Sequence, residues 1–306
     1  MSSFNVSTSP HIHDRSSTSR IMLDVLIALV PAFIASILIF GARAALVTVV
    51  CVGSCIVFEW GFAKIVKKPN TIGDFSACIT GVLLAFNLPV TIPLWQAVFG
   101  SAVAIILVKQ LFGGLGKNFA NPAITARIVM FLAFSVTMTT WVSPVDGVTG
   151  ATPLALIQRG DVEALPGYWH MFVGIRGGSL GETSNLALLV GGIYLLIRRV
   201  ISWHAPVAFI AVVFVLAFLL GQEPVHQLFG GGLFLGAIFM ATDYVTTPQT
   251  NLGRFVFGVG AGLLTVLFRF YSSYPEGVSF AILLMNILTP YVNKWTMSKS
   301  LGGVKV

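Results

Sequence analysis

Asp146, Thr149, Gly150, Ala151 and Thr152 stand together in the string DGVTGATPLA, residues 146–155. Gly150 and Ala151 leave the Thr152 hydroxyl unobstructed, so a second enzyme can approach it closely. A bulky neighbour would prevent that. Asp, Gly and Thr are also the ordinary residues of a surface turn, so at this level a reactive hydroxyl and a passive turn both stand.

Two further groups of residues have chemical potential. The stretch LFGGLGKNFANPAITAR, 111–127, holds too many glycines for a comfortable helix. Asn118 and Asn121 offer amide donors and acceptors there, and Pro122 suits the first position of a new helix. The stretch lacks the spacing of a P-loop or a dinucleotide fingerprint, so direct NAD binding is not expected. Asp24, Glu59 and Asp243 lie in or at the ends of apolar runs. Charge at membrane depth is expensive and faces a cavity or a partner.

The three cysteines, Cys51, Cys55 and Cys78, are too few for a four-cysteine cluster. Cys51 and Cys55 share a helix face at i,i+4 and read as small buried hydrophobes. The five histidines form no pair on one apolar run, and no metal site is expected.

These residues must be positioned by a membrane protein. The chain is 56% hydrophobic and 9% charged, against roughly 25% charged in soluble domains. No basic tract that would grip nucleic acid is present, and no cleavable signal peptide is evident. A spanning helix needs about 20 mostly apolar residues. Ten candidate runs lie near 21–40, 44–63, 75–91, 95–112, 122–141, 185–198, 204–220, 230–247, 253–270 and 278–293. The expected fold is all-α, with ten transmembrane helices.

Charge orients them. With the N-terminus in the cytoplasm, the outer side receives Arg43, Arg159, Arg176 and Arg269. The other fourteen of the 18 Lys and Arg residues fall inside, as the positive-inside rule requires. The organisation is then a cytoplasmic segment 1–20, a five-helix half 21–141, an outer loop 142–184, a second half 185–293 and a cytoplasmic tail 294–306.

The halves resemble each other. GVLLAFNLPVTIP, 81–93, aligns with GAIFMATDYVTTP, 236–248, at an offset of 155 residues. Five helices per half is odd, so the halves must be inverted, and inverted repeats place ligands at their interface where helices break. Asn87, Pro89 and Pro93 interrupt the first unit; Thr242, Asp243 and Pro248 interrupt the second.

The string 146–155 matches all five specified positions of the flavinylation motif Asp-x-x-(Ser/Thr)-Gly-Ala-Thr. With SPHIH near the N-terminus, LFGGLGKNFANPA and FMATDYVTTP, the chain resembles, nearly end to end, the family that joins the D subunits of Rnf complexes to the B subunits of sodium-pumping NADH:quinone reductases. The resemblance implies FMN esterified through its phosphate to Thr152 by a flavin transferase, with Asp146, Thr149, Gly150 and Ala151 as the signal read. It also implies a noncovalent riboflavin toward the cytoplasmic side, to which Asn118 and Asn121 are assigned. Asp243, which sits in the repeat break, and with it Asp24 and Glu59, are the candidates to bind a flavin group or assist a transported cation. Implied partners are the Rnf A, B, C, E and G subunits in a bacterial inner membrane. Electrons would pass between ferredoxin and NAD, coupled to export of Na⁺ or H⁺. The rival reading is an inverted-repeat channel or transporter with no redox role, since fold alone does not fix function.

Overall fold

The computed structural model describes residues 17–68, 71–144, 147–272 and 276–297. Helices lie over each of the ten apolar runs. The first half contains α1 (Thr18–Phe40), α2 (Ala42–Val66), α3 (Ser76–Phe86), α4 (Leu94–Ala102, continued as a π-helix over Val103–Gln110) and α5 (Pro122–Ala133). A single turn, α6 (Ser135–Met138), precedes the loop. The loop holds the two-residue strands β1 (Trp141–Val142) and β2 (Thr149–Gly150) and the short helices α7 (Pro153–Arg159) and α8 (Tyr168–Val173). The second half contains α9 (Asn185–Ile197), α10 (His204–Leu219), α11 (Pro224–Phe229), α12 (Leu233–Leu235, continued as a π-helix over Gly236–Met240), α13 (Asn251–Tyr271) and α14 (Val278–Thr296).

Among the described residues, α1, α2 and α13 are long and apolar enough to cross a membrane by themselves. The third and eighth runs are different. At 1.5 Å per residue, the 11 residues of α3 rise only about 16 Å, and α12 with its π extension rises less. Both units stop where the sequence carries Asn87 and Pro89, or Thr242 and Asp243.

Backbone freed by such breaks must find partners inside the protein. After α3 they come from the loop: the Leu180 amide donates to Leu88 O and the Gly181 amide to Phe86 O, each at 3.0 Å. Gly181 is required here, because a Cβ would lie 2.1 Å from the Phe86 ring. After α12 the partners are side chains. Thr289 Oγ1 donates to Thr246 O at 2.8 Å, and Thr247 Oγ1 donates to Asp243 O at 2.6 Å.

Small residues set the helix contacts, as expected where apolar lipid supplies no force to drive helices together. A Cβ on Gly191 of α9 would sit 2.0 Å from Ala28 O of α1, and one on Gly258 of α13 would sit 2.5 Å from Ala205 O of α10. α2 packs on both α3 and α4, whereas α10 packs chiefly on α13 and only lightly on the π extension of α12. One continuous apolar core runs through both halves, with a satellite of Cys55, Ala77 and Ile105.

Candidate functional site

Thr152 caps α7. Its Oγ1 accepts the Ala155 amide at 3.3 Å, and Pro153 follows at the first helical position, a common start because proline lacks the amide that would go unpaired there. Thr149 and Gly150 form β2 and pair with Val142 and Trp141. They are exposed, whereas Thr152 is 6% exposed. The expectation of an open hydroxyl therefore needs correcting: small neighbours do not leave Thr152 in open solvent, because its side chain turns inward to make the cap. Asp146 lies outside the described residues.

Thr152 instead faces a cavity of about 590 Å³, within the roughly 300–1,000 Å³ usual for small-molecule sites. Thr149, Gly150, Ala151 and Thr152 form one wall. Phe131, Trp141 and Phe280 supply aromatic surface, and Arg127, Arg159, Glu276 and Ser279 supply charge and polarity. Phe131 and Phe280 meet edge to face at 6.1 Å. Arg127 Nη2 lies 2.5 Å from Glu276 Oε2, and its Nη1 donates to Ser279 Oγ. The charge count places Arg127 with the cytoplasmic residues. Its side chain reaches into the cavity that the loop closes.

Glu276 stands in a crowd of buried charge. Burial and the nearby Glu182 push its carboxyl up to about 7, and the Arg127 guanidinium pulls it back only in part. Glu182 is itself 2% exposed, accepting the Ser179 amide on Oε1 while Oε2 has no partner among the described residues. Arg176 donates to Glu182 O at 2.9 Å, and Arg269 donates to Gly230 O at 2.9 Å. The donor set fits a phosphoflavin: aromatic faces for a ring, guanidinium groups for a phosphate, and a threonine oxygen at the wall.

Asn118, Asn121 and Asp243 come together in a second cavity between the halves, with Ser76, Thr80, Lys109 and Thr242. Asn121 caps α5, its Oδ1 accepting the Ala123 amide at 3.1 Å and the Ile124 amide at 3.3 Å, with Pro122 next in line. Asn118 Nδ2 donates to Ala120 O at 3.0 Å. Asp243 accepts Thr246 Oγ1 at 3.1 Å. The polar set suits the hydrogen-bonding edge of a flavin, but the slot measures about 100 Å³ and must widen to admit a three-ring system.

The remaining acids have separate partners. Glu59 is fully buried, 2.7 Å from Lys109 Nζ, which also donates to Ser76 Oγ at 2.6 Å. Thr71 Oγ1 donates to Glu59 Oε1 at 2.5 Å. Lys109 lies on the π-helix, a geometry frequent at functional sites, and its side chain connects this chain of polar groups to the slot. Asp24 joins the halves by accepting the Tyr194 hydroxyl at 2.7 Å and Arg198 Nη2 at 3.2 Å; it does not line the slot. Cys51 and Cys55 are buried, and among the described residues no three His, Cys, Asp or Glu side chains form a metal-binding group. Sequence reasoning misses the Arg127–Glu276 and Lys109–Glu59 pairs. Basic residues inside apolar runs are the available signal, and the charge count assigns them to topology.

The chain matches the NQR2, RnfD, RnfE family over residues 5–302. It is 44% identical over 305 residues to the D subunit of the Na⁺-translocating ferredoxin:NAD⁺ oxidoreductase complex of Acetobacterium woodii, covering 98% of this chain and 96% of the relative. It is 41% identical to the D subunit of the proton-translocating ferredoxin:NAD⁺ oxidoreductase complex of Clostridium ljungdahlii, over 98% of this chain and 96% of the relative. A third relative is the D subunit of the ion-translocating oxidoreductase complex of Stutzerimonas stutzeri, 37% identical over 94% of this chain and 93% of that one. With the match running almost end to end, this chain belongs to the NQR2, RnfD, RnfE family.

Proposed function

We propose that the chain is a membrane subunit of an Rnf-type oxidoreductase that couples electron transfer between ferredoxin and NAD to ion translocation, and that it carries FMN as a phosphoester on Thr152. The observation that carries the reading is the composition of the outer cavity: the whole described part of the flavinylation motif, two arginines and three aromatic rings line one space of about 590 Å³. When bound, a flavin supplies electron-carrier chemistry. The chain's own part is to hold the ring against Phe131, Trp141 and Phe280, to neutralise the phosphate with Arg127 and Arg159, and to keep bulk water from the attachment point.

The reading includes ten membrane helices in two inverted halves, with both termini in the cytoplasm and the loop 142–184 outside. The aligned strings 81–93 and 236–248, and the early stops of α3 and α12 within them, support it. Riboflavin would occupy the second cavity, contacting Asn118 and Asn121 near Asp243, after the slot opens. Asp24, on this reading, holds α1 to α9, and Glu59 with Lys109 holds α2 to α4. The partners would be the Rnf A, B, C, E and G subunits, with a flavin transferase acting during maturation.

Mass spectrometry of the peptide spanning residues 146–155 tests the assignment. An FMN-sized adduct on Thr152, and flavin fluorescence of the subunit on a denaturing gel that disappears in Thr152→Val, is the expected result. An unmodified peptide from cells that possess the transferase would leave the channel or transporter reading in its place.

A further inference from the structure

Among the described residues that line the outer cavity, Glu276 is the one acid. It reaches the cavity from the segment just before α14, and it holds the position that corresponds, at the 155-residue offset, to Asn121 just before α5. The first half therefore turns an amide toward its cavity, and the second half turns a carboxyl. Glu276 is held on the cavity wall by Arg127 Nη2 at 2.5 Å, and Ser279 Oγ accepts Arg127 Nη1 and so fixes the guanidinium from its other end. The groups around it are mostly cationic. Arg127 faces it from α5, Glu182 and Arg176 from the loop, Arg269 from α13, and Arg159 lies across the cavity on α7. Three buried guanidiniums with Glu182 alone leave a positive interior, whereas an ionised Glu276 reduces that excess and a phosphodiester on Thr152 removes it.

We propose that Glu276 is the proton-holding residue of the outer cavity, taking up a proton when an electron enters the cavity and releasing it when the electron leaves, with Arg127 as its positioning residue. The proposal rests on the assignment of FMN to Thr152. An electron delivered from a reduced one-electron carrier of a neighbouring subunit adds one negative charge to a low-dielectric space, where that charge is felt strongly. An O–H bond forms at a Glu276 carboxylate oxygen as an O–H bond of a hydronium ion breaks in the solvent that reaches the cavity rim at Thr149 and Gly150, leaving neutral water, and the total charge of the cavity is unchanged. When the electron passes to an oxidised one-electron carrier, that O–H bond breaks and the proton goes to a water molecule at the rim as hydronium. The carboxyl is poised for this, since burial and Glu182 already bring its protonation into the neutral range.

The test is a spectroelectrochemical titration of the purified complex across pH, with the signal of the Thr152-linked flavin identified by its absence in Thr152→Val. In the wild type the midpoint potential plotted against pH should bend near neutrality. In Glu276→Gln the bend should be lost while the subunit still fluoresces on a denaturing gel. A fluorescent Glu276→Gln subunit with the wild-type pH profile would overturn the role of Glu276 and leave the flavin assignment standing. Should that variant fail to assemble, the wild type decides the matter by itself. Its reduced-minus-oxidised infrared difference spectrum should gain a carboxylic-acid C=O band that Thr152→Val lacks, and absence of that band overturns the proposal. A wild-type subunit without fluorescence overturns the flavin assignment, and this inference with it.

Discussion

Thr152 Oγ1 accepts the Ala155 amide at 3.3 Å, so the oxygen proposed to carry the flavin is also the cap of α7. Substitution should separate two effects. Thr152→Val removes both the attachment oxygen and the cap, so loss of fluorescence is expected together with about 1 kcal/mol of local stability. Thr152→Ser keeps an oxygen at the same place and should retain the cap. In-gel fluorescence combined with proteolysis at the α7 end of the loop reads both quantities. Normal flavin content in Thr152→Val would refute the attachment point.

Glu59 and Lys109 form a buried pair, 0% and 3% exposed at the side chain. Removing one partner strands the other. Lys109→Met or Glu59→Gln should each cost about 3–5 kcal/mol, read as a large drop in melting temperature in detergent. The double variant Glu59→Gln with Lys109→Met leaves no charge behind and should recover much of that loss. Additive losses in the double variant would show that the two groups do not act as a pair.

Glu276 predicts a pH dependence of stability with a definite sign. Its carboxyl is raised from 4.5 to about 7 in the folded chain. A raised carboxyl contributes stability that is full below the unfolded value and is lost as pH climbs through the folded value. The melting temperature of the wild type should therefore fall between pH 4.5 and about 7 relative to that of Glu276→Gln. The opposite slope would mean that Arg127 outweighs burial and Glu182.

Gly191 lets α9 lie against the α1 backbone at Ala28. Gly191→Leu should force the helices apart and cost about 1–3 kcal/mol. At Gly53 in α2 an added Cβ would meet nothing within 4 Å, so Gly53→Ala should be neutral or gain about 0.5–1 kcal/mol from helix propensity. Thermal melting of the two variants side by side distinguishes close packing from a general effect of altering a membrane helix.

Much of the architecture is legible in the chain because hydropathy and breaker residues speak locally. Apolar runs mark every long helix, Asn121 with Pro122 marks the start of α5, and Asn87 and Asp243 mark where α3 and α12 stop. The motif singles out Thr152 from Thr149. What stays hidden depends on distant partners. Glu276 is a lone acid in a short connection, and nothing near it in the chain names Arg127, 149 residues away. Lys109 and Arg127 do carry a signal, since a charge inside an apolar run demands a partner, but the same charges also satisfy the positive-inside count. The inward turn of Thr152 is likewise invisible, because a threonine beside glycine and alanine reads equally as an open hydroxyl and as a helix cap.

The two backbone bonds from Leu180 and Gly181 to Leu88 and Phe86 bear on how the protein can be rebuilt. Residues 142–184 look like an appendage suitable for grafting between relatives, yet their last turn completes the interior of the first half. A chimera that exchanges the loop alone would set a foreign residue against Phe86 and disturb the donors of two buried carbonyls. The unit of exchange is the loop together with residues 86–88, and any relative that differs at one should be made to differ at the other.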